Sequence, residues 1–488
     1  MLAALVGVQI AAGLILRGAG DSAAQAPALL WLIGGVGAWL AGGTIRGRVP
    51  RPSSTAAAWA ATLAALSLWS ALSSLVPAYA LPAWAASAAG LWLFPAATLL
   101  DADARVRVEQ VVRVAGWLLV FLALYQRLHG DLRPAASFPN QNVFAGAVLL
   151  LLPFAARRGD PALAVGLVVC LWWTRSVGAW LGLSVALVLS RRAVGTAGFW
   201  VGAAAGFAGL VAAYAKLESP ETLHRWAWWT AAARMSGDAP WLGLGPGAFS
   251  YALPSYVAAK PELYSLFAHQ HLLETAAERG WPYLILWTAG LGALLFRARP
   301  SLRFGMIAAL VHGLVDYPLS VPGVFWLFCL SAAWTLPESE RALTVRVERK
   351  APALAAIIVV AAACAVWVER GWRAARLRAS AIERLATGAA PADAEPILAA
   401  SETLRPHPEA ARLRAEIALL RASAGDDPSR RLTEAAADLE RSVAQDPYRA
   451  SSWGLLEAVY RRLGRAAAAT DARRRGALTC PSLRAGAA

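Results

Sequence analysis

The stretch "FPNQNVFAGAVLLLLPF", Phe138 to Phe154, carries three side-chain amides and then a run without a charge or an amide. Asn140, Gln141 and Asn142 suit a polar entrance. The residues after them suit hydrocarbon or a protein interior. Crossing a bilayer as a helix takes roughly 20 apolar residues. Working outward by that measure gives about thirteen spans. They lie near 1–16, 27–43, 55–76, 82–100, 109–126, 141–156, 161–174, 176–190, 196–214, 281–296, 303–316, 321–336 and 351–368. The expected fold is therefore all-α, a polytopic membrane helix bundle.

Composition agrees. Of the 488 residues 58 % are hydrophobic and 16 % charged, where a soluble protein carries about 25 % charged residues. The mean hydropathy is +0.48. The 22 tryptophans suit many segment ends at a lipid–water boundary. These features argue against a soluble enzyme. The four cysteines show neither zinc-site nor disulfide spacing. The net charge of +15 comes from arginines spread over short loops, which points away from nucleic acid. The first apolar block follows Met1 with no basic segment before it and reads as a retained span, not a cleaved signal.

Those arginines orient the map. One set of loops holds Arg46, Arg48, Arg51, Arg105, Arg107, Arg157, Arg158, Arg191, Arg192, Arg297, Arg299, Arg303, Arg341, Arg346, Arg349 and Lys350. The alternate loops hold only Arg17, Arg127, Arg133 and Arg175. The richer set is expected to be cytoplasmic. The segment 215–280 then forms a large periplasmic loop on a transmembrane domain, 1–368. The tail, 369–488, is expected to be a periplasmic α-helical domain of a bacterial inner-membrane protein.

The tail changes character. "WRAARLRASAIERLATG" and "LTEAAADLERSVAQDP" read as amphipathic helices. Pro447 and Pro481 stand 34 residues apart, with Trp453, Leu456, Tyr460, Gly464 and Ala469 between them. This spacing resembles one tetratricopeptide unit. Such helix pairs serve as docking surfaces for a protein or glycan, or simply pack as a cap on a neighbouring domain.

Chemistry concentrates in the outer loop and at the span ends beside it. Arg225 opens an apolar helix in "HRWAWWTAAARMSGDAP", and Gly243, Gly245 and Gly247 follow in "GLGPGAF". That glycine run is a turn or a place of close backbone approach, and no Lys-Ser/Thr makes it a P-loop. In "LFAHQHLLETAAERGW" a helix would put His269 with Leu266, Leu273 and Ala277, and His271 with Glu274 and Glu278. One imidazole then faces a site, where at an ordinary pKa near ~6.5 it can take a proton from a hydroxyl. The other is structural. No metal pattern such as HExxH is present. Arg175 lies at an outer lip, placed to bind an anion or to snorkel. His312 and Asp316, four apart at a span end, are either functional or a helix-internal hydrogen bond. Arginine forks over an apolar bundle fit a substrate with a greasy anchor and a pyrophosphate head.

Five segments together resemble the O-antigen ligase and polymerase superfamily, multi-span bacterial glycosyltransferases of the GT-C type. "FPNQNVFAGAVLLLLPF" resembles its Pro-Asn-x-x-Ala segment and "TRSVGAWLGL" its Ser-Arg-Gly-Ala segment. "RWAWWTAAARMSGDAPWLGLGPGAF" is similar to its arginine-to-glycine loop, "AHQHLLETAAERGW" to its histidine segment, and "VHGLVDYPLSVPGVFW" to its late span pair. The resemblance implies a fold over about 1–336. It matches Arg225 to the loop arginine and His269 to the family histidine, with His271 the runner-up. Two departures stand out. Gln270 replaces the Asn after that histidine, and Val177 stands where the family has arginine, two residues after Arg175.

Function follows from the resemblance as an expectation. A glycan on undecaprenyl pyrophosphate would pass to an acceptor hydroxyl, of lipid A core or of a growing polysaccharide, with neither metal nor other cofactor. Transfer to protein is a third possibility. His269 and Arg225 would be catalytic. Arg175, Asn142, His271, Gly245, Gly247 and Asp316 would bind substrate. Membrane lipid is an expected partner; nucleic acid is not. Two other readings compete: a transporter of lipid-linked glycan, and a scaffold working through its tail.

Overall fold

In a computed structural model the described residues are 1–52, 54–157, 159–190, 220–257, 263–297, 300–336 and 343–480, with scattered positions from 196 to 214. The expected span at 196–214 and Pro481 lie largely or wholly outside them.

Helices α1 (Leu2–Ile15) and α2 (Ser22–Ile45) form the first hairpin. The Asp21 carboxylate accepts the Ala24 N–H at 2.9 Å and so starts α2. Strand β1 (Arg48–Arg51) follows, then α3 (Ser54–Ser73), α4 (Pro77–Thr98) and α5 (Ala102–Leu128). The core helices are α6 (Gln141–Arg157), α7 (Pro161–Thr174) and α8 (Val177–Leu189). The polar segment between α8 and the late helices supplies α9 (Pro220–Asp238). Helices α10 (His271–Arg297), α11 (Pro300–Gly313) and α12 (Pro322–Thr335) complete the bundle.

Every residue of α6 from Val143 to Ala155 and of α12 from Gly323 to Thr335 is buried. Apolar on all sides, both belong at the centre. Small residues set the crossings. A Cβ on Gly323 would lie 2.0 Å from the Gly13 carbonyl oxygen, and one on Gly182 would lie 2.3 Å from that of Ala308. Backbone meets backbone there, as in other lipid-embedded helix pairs.

Among the described residues five helices are long and apolar enough to cross a membrane, including Ala102–Leu128 and Lys350–Ala386. Six shorter apolar helices pack among them. Phe121 is 58 % exposed and Ile358, Val359 and Val360 over 60 %, so apolar side chains face outward in bands. Surfaces of that kind belong in lipid. The chain is an all-α, multi-pass membrane protein. Its small strand pair is β1 with β2 (Leu343–Arg346), antiparallel with Arg48 opposite Arg346. It ties two of the arginine-rich loops together at one end of the bundle.

Helix α13 (Lys350–Ala386) runs without a break through the expected domain boundary at 368. Beyond it stand α14 (Pro391–Leu404), α15 (Pro408–Ser423), α16 (Pro428–Gln445), α17 (Ala450–Arg462) and α18 (Ala466–Thr479). Trp453, Leu456 and Val459 of α17 are buried with Leu439 of α16 and Ala472 of α18. The tail also packs on the bundle. Its Tyr448 shares a core with Val76, Met235 and Phe249, and Arg449 donates to the Tyr79 hydroxyl at 3.2 Å.

Candidate active site

The histidine segment is not a helix from Leu266. The helix starts at His271, and His269 precedes it with φ 55°. Capping is the reason. The Gln270 side chain accepts the Leu273 N–H, and the Glu274 carboxylate reaches back for the Ala268 N–H at 2.7 Å. These exchanges satisfy donors around the helix start and hold residues 268–270 outside it. His269 and His271 thus part ways by loop geometry rather than by helical faces.

The helix then kinks at Gly280, whose φ is 79°. A Cβ there would stand 2.4 Å from the Trp241 oxygen, and one on Gly243 2.3 Å from the Glu278 carbonyl carbon. The glycine turn therefore lies directly against α10. Gly245 donates to the Glu278 carbonyl at 2.9 Å. Gly247 and Phe249 give their N–H groups to the Glu278 carboxylate. Gly247 also lines a cavity beside this turn, and a Cβ on Gly245 would lie 2.5 Å from the Ser74 hydroxyl oxygen.

On α9, Arg225, Trp228 and Trp229 fall at i, i+3 and i+4 and share a face. Trp228 stacks on the His269 ring at 4.9 Å, and Trp229 donates its indole N–H to the His269 carbonyl at 3.2 Å. Arg225 reaches the far side. Its Nη1 donates to the Val315 carbonyl at 2.9 Å, and its Nη2 lies 3.4 Å from Asp316 Oδ2. Asp316 Oδ1 lies 3.3 Å from His269 Nδ1, at ion-pair distance but off the line of a hydrogen bond. One buried carboxylate, 4 % exposed, thus stands between the guanidinium and the imidazole.

The expected bond between His312 and Asp316 is absent. Helix α11 ends at Gly313, which swings Asp316 into the following turn. His312 instead meets the Ser176 hydroxyl at 3.4 Å. A Cβ on Gly178 would lie 3.0 Å from the His312 ring, so that glycine admits it. Arg175 caps α7 with φ 52°, is exposed, and forms no ion pair or hydrogen bond through its side chain with a described residue. It precedes Ser176 in the chain. Asn142 is half-buried in the first turn of α6. The Asn140 side-chain oxygen Oδ1 accepts the Val143 N–H at 2.9 Å, and its Nδ2 donates to the Tyr317 hydroxyl.

Asn140 was marked in the sequence as part of a polar entrance; Tyr317 and Trp228 enter the site without having been singled out. Tyr317 meets the His269 ring edge-on at 4.6 Å and stacks on Phe267 at 4.3 Å. Their signal was positional: Tyr317 follows Asp316, and Trp228 lies one turn from Arg225. His271, half-buried, lines a neighbouring cavity of about 760 Å³ with Glu274 and Glu278. Burial pulls the His271 imidazole down to about 4. Burial and the adjacent Glu278 push the Glu274 carboxyl up to about 8.

Fold and site define a multi-pass membrane protein with an Arg–Asp–His cluster at one mouth of its bundle. Residues 143–288 match the family model described as O-antigen ligase, and this segment belongs to the O-antigen ligase superfamily. No curated protein matches the chain. Arg225 and His269 lie within the matched segment; Asp316 and the tail lie beyond it. The match supports a glycosyltransferase-like enzyme with a ligase- or polymerase-type role in glycan transfer.

Proposed function

We propose that the protein moves a glycan from undecaprenyl pyrophosphate to an acceptor hydroxyl, of lipid A core or of a growing polysaccharide, at the periplasmic face. The observation that carries this reading is Asp316 between Arg225 and His269. With Nδ1 turned toward the carboxylate, His269 Nε2 is the nitrogen left to accept a proton. It takes the acceptor's hydroxyl proton as that oxygen attacks the anomeric carbon. The bond from that carbon to the pyrophosphate oxygen breaks on the opposite side. Arg225, with Arg175, offsets the charge gathering on the departing pyrophosphate.

Purified protein supplied with lipid-linked glycan and an acceptor tests this directly. The expected result is transfer by the wild type and loss of about 10²- to 10⁴-fold in His269→Ala, the usual scale of a lost general base. Arg225→Ala should fall comparably. Near-normal rates in both folded variants would remove the assignment.

A further inference from the structure

The cavity of about 760 Å³ is built by two partners, the bundle and the tail. Its size is within the roughly 300–1,000 Å³ of small-ligand sites. The bundle contributes Tyr79 and Tyr251, stacked at 3.6 Å, and the tail side contributes Trp367 and Trp372. Three lining residues carry a buried polar atom with no partner: His271 Nε2, Trp287 Nε1 and Trp372 Nε1. Buried polar groups are normally satisfied, so these await hydroxyls.

Two of the four lining arginines stand outside any ion pair among the described residues. Arg378 and Arg405 line the tail wall, and neither forms an ion pair with a described residue. Arg378 donates only to the Ser401 hydroxyl at 3.5 Å, and Arg405 lies over the Trp367 ring at 4.4 Å. The other lining cations, Arg17 and Arg279, are already paired with Asp21 and Glu278. The lining carboxylates outside arginine pairs are Glu409 of the tail, whose charge acts on Arg378, and Glu274 of α10. Aromatic faces, orphaned N–H groups and two unspent guanidinium forks suit a sugar chain bearing acid groups.

We infer that this cavity binds an anionic saccharide, with Arg378 and Arg405 of the tail holding its carboxylate or phosphate. Resting on the proposed function, we assign it to the acceptor. Its lining includes Phe267 and Tyr317, which lead to the His269 ring, but not Arg225.

The test uses the full chain in zwitterionic nanodiscs, titrated calorimetrically with tetragalacturonate and with neutral maltotetraose. Wild type should prefer the acidic sugar by about tenfold or more, and the Arg378→Gln/Arg405→Gln variant should lose that preference, since a charge-assisted contact is worth roughly a factor of ten. Equal binding by wild type and double variant, or no binding of either sugar to wild type, overturns the inference. So does abolition of sugar binding by phosphatidylglycerol in the nanodisc, which would assign the cavity to lipid headgroups. Should the double variant unfold, Trp372→Phe removes one N–H alone and should weaken both sugars severalfold; unchanged binding counts against the site. Transfer measured on the same samples separates the two claims. Charge-selective binding without transfer leaves the site and removes the reaction; transfer without charge preference does the reverse.

Discussion

Asp316 is the residue on which the cluster turns, since it faces both a guanidinium and an imidazole. Asp316→Asn keeps the shape and removes the charge. Transfer should fall about 10- to 100-fold, or ~1.4–2.8 kcal/mol of barrier, in turnover at saturating substrate. Arg225, His269 and Asp316 each stood out in the sequence, and Arg225 and His269 were expected to share a site; Asp316 standing between them was not. Helical spacing paired Asp316 with His312, but the helix ends at Gly313 and a turn delivers the carboxylate to α9 and to the loop before α10. Glu274 gives a second residue-scale test. Its carboxyl goes from 4.5 to about 8 on burial, so the folded state holds its proton more tightly than the unfolded one. Stability from this group is full below about 4.5 and drains as pH rises toward 8. Thermal unfolding of wild type should therefore shift down between pH 6 and pH 9 more steeply than that of Glu274→Gln, which mimics the protonated form.

At the scale of elements, apolar periodicity was a good guide. The span expected at 161–174 is α7, and that at 176–190 is α8 within a residue at each end. Length and apolar content decide such helices locally. Breaks and caps depend on partners elsewhere, and there the sequence said less. The kink at Gly280 exists because Trp241 and Leu242 press on its α-carbon from the preceding turn. Gly280→Ala demands both a left-handed alanine and room that is absent. It should cost at least about 1–3 kcal/mol, read as a lower unfolding temperature in detergent, whereas Gly292→Ala, in open space, should leave the temperature unchanged.

For the molecule as a whole, the loops that the arginine bias assigns to one side are physically joined. Strand β1 pairs with β2, and Arg157 lies 3.1 Å from Glu109 at the neighbouring helix ends. In a cysteine-free background, Val345→Cys should react with an impermeant maleimide only after permeabilisation. Trp241→Cys, at a position 76 % exposed, should react in intact spheroplasts. Labelling in the opposite pattern would invert the membrane orientation. The tail's docking was one of two readings the sequence left open, and the pairs that make it are remote in sequence. Arg449→Ala removes the contact with Tyr79 and leaves Asp446 without its partner. Limited proteolysis should then cut near 387–390 at lower protease than in wild type.

The 37 residues of α13 measure about 55 Å at 1.5 Å each, of which hydrocarbon accounts for about 30 Å. The remainder is a stiff mast, and α14 to α18 are rigged to its top. A swinging arm would accept cargo of any girth; a mast does not. The tail is thereby held at one height over the bundle, and the wall it lends to the cavity keeps its place.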